Sequence, residues 1–342
     1  MEQTNGEVAP EGRAAATERR SWRVDRRRGD ARGRTVWTRG WILASLATLV
    51  AGLLAFHAVV PNTVGNLGSL LETFLPWLGL AVPVLLGLAL LRRSATALAA
   101  TALPAAAWTA LFGGLLLPAG PETAHDLTVL QHNVNDENPD HAGTARALAQ
   151  AGADLIALEE LTPDALPAYE TALASGYPHR AVVGTVGLWS EHPLADSRPV
   201  DIKPKDIDAD WSRGLRSTVR GPSGDMAVYV AHLPSVRVGL PNGLSSGRRD
   251  ESAVALGAAI AAERLDKVIL LGDLNGTLDD RGLAPVTSRM TPAKEGFGFS
   301  WPAAFPLARI DHVMTRAMSP VTTWTLPATG SDHLPVAARI KI

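Results

Sequence analysis

The sequence contains no cysteine. Disulfides, thiolate metal sites and a cysteine nucleophile are therefore excluded. Charge is missing as well, but only locally. Trp41 to Val60, Thr73 to Leu91 and Ser94 to Gly120 contain no Asp, Glu, Lys or Arg. Lysine is absent from the first 40 residues, which carry ten arginines instead. From Pro121 onward basic charge is in deficit, with 20 Lys and Arg against 27 Asp and Glu, a balance of −7 that the whole-chain value of −2 conceals. A surface that grips long nucleic acids is ordinarily basic, because each neutralised phosphate releases counterions. The acidic balance argues against such a partner, and nothing in the sequence points to a protein partner.

Each uncharged stretch is long enough to cross a bilayer core, which takes about 20 residues, and longer than the average globular helix of about 11–12. Three in succession predict a three-helix membrane anchor over residues 41–120. A cleavable signal peptide would account for the first stretch only. Basic loops mark the cytoplasmic side. Ten arginines from Arg13 to Arg39 precede the first span, Pro61 to Glu72 has no basic residue, and Arg92-Arg93 joins the second and third spans. The order is in, out, in, out. The expectation is a multi-pass protein of the cell membrane with a cytoplasmic N-terminus and everything after Gly120 outside. Residues 1–40 are rich in Gly, Glu and Arg without apolar periodicity and are expected to be a disordered basic tail. His57 reads as a helix-packing residue.

Residues 121–342 read as one α/β domain. Strands are predicted at Leu127–Asn133, Leu155–Leu158, Met226–Ala231, Lys267–Leu271, Ile310–Met314 and Pro335–Ile342, and helices at His141–Ala151, with Asp140 or Asn138 as cap, and at Arg249–Arg264. No internal repeat is evident. Strand after strand ends on Asn, Glu, His or Asp. Turns favour Asn and Asp for reasons of their own, so any one case is bland. Several such ends can converge at a sheet edge.

Hydrolysis of a phosphoester or phosphoanhydride needs a hard cation to neutralise phosphate charge, a base to orient water, and donors for the developing oxyanion. Hard cations prefer oxygen ligands. The chain supplies suitable groups in six blocks: Gln131-His132-Asn133-Val134-Asn135, Ala157-Leu158-Glu159-Glu160, Val230-Ala231-His232-Leu233, Gly272-Asp273-Leu274-Asn275, Arg309-Ile310-Asp311-His312 and Ser331-Asp332-His333-Leu334-Pro335.

These blocks, in this order, resemble the endonuclease/exonuclease/phosphatase superfamily, which includes DNase I-like nucleases, sphingomyelinases and inositol phosphatases. The resemblance covers about Leu127 to Ile342 and implies a four-layer αββα sandwich, DNase I-like, with its site at the edge of two packed sheets. It implies Mg²⁺ or Mn²⁺ as cofactor. Glu160 resembles the central metal-binding glutamate and Asn133 its companion, with Asn135 a weaker neighbour and Asp332 beside the metal. Asp273 resembles the aspartate that orients or activates water, and Asn275 the asparagine that holds it. His232 resembles the histidine that donates to the scissile phosphate. His333 resembles the last catalytic histidine, with Asp311 as its orienting carboxylate. Glu159 stands where the family often has Gln. His132 lies on the opposite strand face from Asn133 and reads as core, and His312 reads as structural. Trp189, Trp211 and Trp324 read as packing, and Trp301-Pro302 as part of a substrate loop. Arg213, Arg216, Arg248 and Arg249 are long enough to reach a phosphate, but each alone reads as a surface ion pair.

Three substrate readings follow: a lipid-linked pyrophosphate reached from the outer leaflet, extracellular nucleic acid, or a non-catalytic binder on this fold. The anchor favours the first, because a lipid is confined to the same plane. The whole chain also resembles the VanJ-type membrane proteins of actinobacteria. That resemblance implies teicoplanin resistance and dephosphorylation of undecaprenyl pyrophosphate outside the cell.

Overall fold

The computed structural model describes residues 40–117, 124–208, 210–239, 243–293 and 296–342. The expected basic tail, apart from Gly40, lies outside the described residues. Helices α1 (Trp41–Ala55), α2 (Leu67–Thr73), α3 (Ala81–Leu91) and α4 (Ala95–Phe112) precede the first strand. The chain forms two compact units. One holds the residues up to Ala55 together with Trp77–Thr109, and the other holds Phe56–Pro76 and Ala110–Ile342.

The first unit is apolar and helical. One helical stretch among the described residues, Ala95–Leu116, is by itself long and apolar enough to cross a membrane. Its 22 residues rise about 33 Å, against a hydrocarbon core of about 30 Å. Among the described residues one helix, where three were expected, reaches that length unbroken. The 15 residues of α1 rise only about 22 Å. The chain leaves the helix after Ala55 because Arg281 donates to the carbonyls of His57 and Val60, at 2.9 and 2.7 Å, holding them outside an α-helix. The second expected span is interrupted at Phe74, and the two helical pieces, Leu67–Thr73 and Leu75–Leu91, pass the length criterion only if counted together as one bent span.

The second unit is a sandwich. Its strands are β1 (Leu127–Asn133), β2 (Leu155–Glu159), β3 (His179–Val183), β4 (Val186–Ser190), β5 (Leu194–Pro199), β6 (Gly214–Gly221), β7 (Gly224–Ala231), β8 (Val238–Gly239), β9 (Gly243–Leu244), β10 (Val268–Asp273), β11 (Thr291–Pro292), β12 (Asp311–Arg316), β13 (Ser319–Thr325) and β14 (Val336–Lys341). One six-stranded sheet has the order β13-β14-β1-β2-β4-β3 and the other the order β11-β12-β10-β7-β6-β5. Period-two alternation explains the layers. Val129, Ala157, Val230, Ile269, Leu271 and Val313 point between the sheets and form the central core. Their neighbours point outward. Leu130, Ile156 and Leu158 pack against α5 (His141–Gln150) and α6 (Leu166–Leu173), while Ala227, Tyr229 and Leu270 pack against α7 (Gly247–Ala261). The cap of α5 is Asp140, whose carboxylate accepts from Gly143 N at 2.8 Å. The result is the expected αββα order.

Strands β1 and β2 run parallel, as do β7 and β10. Their C-terminal ends therefore open at one edge of the sandwich. Antiparallel β12 begins at that edge, with Asp311 opposite Asp273. Gly272 is needed there. It has φ +153°, and a Cβ on it would sit 1.9 Å from the carbonyl oxygen of Ala231 on the neighbouring strand.

Candidate active site

Alternation continues past the apolar residues and decides where the polar ones go. Asn133 follows Val129 in phase, Asp273 follows Ile269 and Leu271, His232 follows Val228 and Val230, and Asp311 precedes Val313 in phase. All four side chains consequently enter the space between the sheets, and all are at most 1% exposed. Beyond the strand ends the backbone turns sharply. Asn135, Glu160 and Asn275 have φ of 60°, 60° and 48°, a left-handed conformation uncommon outside glycine and concentrated at functional sites. Backbone N–H groups stabilise two of these turns, with Asn135 N donating to Asn133 Oδ1 at 3.0 Å and Asn275 N to Asp273 Oδ1 at 2.9 Å.

Asp273 is the hub. Its Oδ2 accepts from Asn133 Nδ2 at 3.1 Å and from Asn275 Nδ2 at 3.2 Å, and Asn275 also donates to Leu233 O at 2.9 Å. His232 Nε2 and His333 Nε2 lie 3.7 and 3.8 Å from the same oxygen. Burial raises the Asp273 pKa to about 7, with Asp311 pushing the same way and His333 and the two asparagines pulling back. Such a value suits a group that must take a proton near neutrality.

The two histidines differ. His333 Nδ1 lies 2.9 Å from Asp311 Oδ2. Burial alone would lower its pKa, but Asp311 and Asp273 outweigh burial and hold it at about 10. Asp311 is fixed in turn by Ser300 Oγ at 2.5 Å and by Gln131 Nε2 at 2.9 Å. His232 instead has a guanidinium nitrogen of Arg213 3.2 Å from its Nδ1. Burial, followed by the charges of Arg213 and His333, holds it well below the ordinary value. A neutral imidazole that accepts at Nδ1 carries its proton on Nε2. That Nε2 faces Glu160 Oε1 at 3.6 Å and Asp273.

The adjacent glutamates have different surroundings. Glu160 is half-buried and accepts from Asp136 N at 3.2 Å. Glu159 is wholly buried, and burial together with Asp311 and Asp273 raises its pKa well above the usual value. A protonated glutamate has the shape and polarity of glutamine, which suits a position between carboxylates. Glu160 and the Asn133 carbonyl oxygen fit a hard cation by donor chemistry. Asp332 is exposed and accepts from Trp301 Nε1 at 3.2 Å. The described residues whose ligand atoms all fall within 4.8 Å of one another are Asp273, Asp311 and His333. In that group the Asp311 carboxylate and His333 Nδ1 are already engaged with each other, leaving Asp273 as the oxygen donor that faces the opening.

Three residues that were assigned no site role surround the polar cluster. Gln131 shares the strand face of Asn133, two residues earlier, and Ser300 precedes the Trp301-Pro302 pair. Arg213 carried no local signal. It was expected on the surface, but it is stacked on Trp211 at 5.3 Å and held beside His232. Arg216 and Arg249 are also buried rather than superficial, paired with Glu263 at 2.9 Å and Asp280 at 2.6 Å. Arg248 is an exposed pair with Asp206, as expected. His132 and His312 are buried and point away, to Thr329 Oγ1 and Gly276 O, both at 2.8 Å. Trp189 is core, Trp211 and Trp324 are half-buried beneath arginines, and Trp301 lines the cavity.

Residues 130–333 match the endonuclease/exonuclease/phosphatase family. Comparison with curated proteins gave no match. Among solved structures, a beta toxin from Staphylococcus aureus with bound magnesium ions is similar, at TM-score 0.50 and 15% identity over 63% of this chain and 99% of that one. D. rerio TDP2 complexed with a single-strand DNA product is similar at TM-score 0.52 and 17% identity, again over 63% of this chain and 99% of that one. At these identities the likeness is one of fold.

Proposed function

Because the chain belongs to the endonuclease/exonuclease/phosphatase family, whose members hydrolyse phosphate esters with divalent metals, we propose that it is a membrane-anchored phosphohydrolase acting on a lipid-linked pyrophosphate at the outer leaflet. The observation that carries the chemistry is the setting of Asp273, buried, held by Asn133 and Asn275 at 3.1 and 3.2 Å, and placed 3.7 and 3.8 Å from the Nε2 atoms of His232 and His333. Asp273, oriented by Asn133 and Asn275, positions water and takes its proton. The water oxygen forms a new P–O bond, and the bridging P–O bond breaks to give a lipid monophosphate and inorganic phosphate. His333, kept cationic by Asp311, stabilises the charge on the phosphate. His232 donates from Nε2 to a phosphate oxygen. Glu160 and Asn133, with Asp332 nearby, would hold a Mg²⁺ or Mn²⁺ ion, which when bound supplies positive charge to the phosphate oxygens.

The substrate class is supported by the apolar N-terminal helices and by the balance of −7 after Pro121, which disfavours a long polyanion. The arginine-rich start and Arg92-Arg93 support a cytoplasmic N-terminus and an outward catalytic unit. Protection against teicoplanin-type glycopeptides follows in this reading from the VanJ-like architecture. Full-length protein assayed in parallel on polyprenyl pyrophosphate and on plasmid DNA is expected to release phosphate from the first at physiological salt. Efficient DNA cleavage with no phosphate released from any prenyl pyrophosphate would overturn it.

A further inference from the structure

The segment Phe56–Pro76 connects two apolar helices in sequence but packs within the catalytic unit. Its docking is built in detail. Glu72, 1% exposed, takes Arg281 Nη2 at 2.7 Å and Nε at 2.9 Å and also accepts from Arg281 N at 3.0 Å. Farther along, Asn66 Nδ2 donates to Leu244 O at 2.7 Å, and Leu244 N donates to Gly65 O at 2.8 Å. Gly243, at φ +68°, lies so close that a Cβ on it would be 2.1 Å from Gly65 O. A buried ion pair is a weak source of stability, since desolvating both charges opposes their attraction. It does fix one register.

That register brings Phe74 to the catalytic cavity. The cavity, about 660 Å³, is lined by Glu160, Asp273 and His333 and also by Phe74, Val238, Leu244 and Trp301. Large exposed apolar side chains are scarce elsewhere on the sandwich. Among the described residues after Pro121 they are Val238, Val254, Trp301 and Phe305, and two of these four line the cavity. Exposed apolar groups gathered around a polar site mark a ligand surface. The wall contributed by the segment carries no positive charge, for Pro61 to Phe74 contains no Lys or Arg.

We propose that Phe56–Pro76 is a specificity element of the active site, clasped by Glu72 and Arg281, and that Phe74 with Val238 and Trp301 receives the first carbons of an apolar chain esterified to the phosphate. The occupant is thus an amphiphilic phosphoester rather than a nucleic-acid strand, whose next phosphates would meet no basic residue on the segment's wall; the arginine that lines the cavity, Arg237, lies beside Val238 in the Ser235–Val238 stretch. The inference rests on the phosphohydrolase reading and adds a determinant to it.

The test is a chain-length series with full-length protein in detergent and Mg²⁺, measuring kcat/KM for phosphate release from dimethylallyl, geranyl and farnesyl pyrophosphate. The value is expected to rise with chain length. Phe74→Ser should lower the farnesyl-to-dimethylallyl ratio about tenfold, through KM, as loss of one apolar contact surface predicts. Phe74→Leu should restore the ratio to within about twofold. An unchanged ratio in Phe74→Ser, an equal fall on both substrates, or a Phe74→Leu as impaired as Phe74→Ser overturns the inference and leaves the hydrolase standing. Release from none of the three by the wild-type protein overturns both.

Discussion

Two histidines stand at nearly equal distance from Asp273, 3.7 and 3.8 Å, yet one is cationic and the other neutral. Both are buried, and burial pushes both toward the neutral form. The difference lies in the partner. His333, on the loop before β14, meets Asp311, whereas His232, after β7, meets Arg213. The site therefore holds a fixed cation on one side of its carboxylate and a neutral donor on the other, and the second face of each ring decides which is which. Asymmetry of this kind lets one pocket place charge and move a proton without the two histidines exchanging roles.

The comparison breaks most severely on the His333 side. His333→Ala is expected to lower the rate by at least about 100-fold, since it removes a charge stabiliser from a buried site. Asp311→Asn should lose much of the same activity, and the double variant should be little worse than the worse single one. A double defect equal to the product of the single defects would show the two residues working apart. The other side should respond more gently. Arg213→Met removes a charge that depresses the His232 pKa, so that pKa should move up toward the ordinary value. The rate should fall about tenfold, and the His232 ring, followed by NMR, should titrate at higher pH than in wild type. An unchanged His232 titration would mean that Arg213 does not set the state of His232.

The smallest effect is one of stability. His333 is raised from 6.5 to about 10, so its contribution is complete below pH 6.5 and is lost as pH rises through about 10. Asp311 is lowered from 3.8 to about 2, the net result of His333, Ser300 and Gln131 overcoming burial, so its contribution is complete above pH 3.8 and is lost as pH falls through about 2. The thermal-stability advantage of wild type over His333→Gln should therefore be greatest between pH 3.8 and 6.5 and fade toward pH 10. An advantage constant up to pH 10 would contradict a raised His333.

The candidate residues Asn133, His232, Asp273 and Asp311 were legible because each lies at or just past a strand end, in phase with apolar neighbours. Val-x-Val-x-His in β7 and Ile-x-Leu-x-Asp in β10 reveal both a buried face and where it stops. Strands β3, β5 and β13 were not legible because they are partly or largely exposed and lack that alternation, and β4 and β6, though buried, also fall outside the predicted strands. Arg213 was hidden because only the pairing of β6 with β7 brings it to His232. The length of the first apolar helix was hidden for a related reason. Composition runs on to Val60, but a residue 221 positions away in sequence holds the Val60 carbonyl. The Glu72–Arg281 pair spans 209 positions and leaves no local trace.

The claim on which the rest depends is that Glu160 and its neighbours hold a divalent cation for hydrolysis. It is tested most directly by phosphate release from farnesyl pyrophosphate as free Mg²⁺ is varied, with wild type and Glu160→Gln side by side. Wild type should show saturable activation that EDTA abolishes, and the variant should need at least about tenfold more Mg²⁺ or show no turnover. Turnover that survives EDTA, or coincident Mg²⁺ curves for the two proteins, would contradict it.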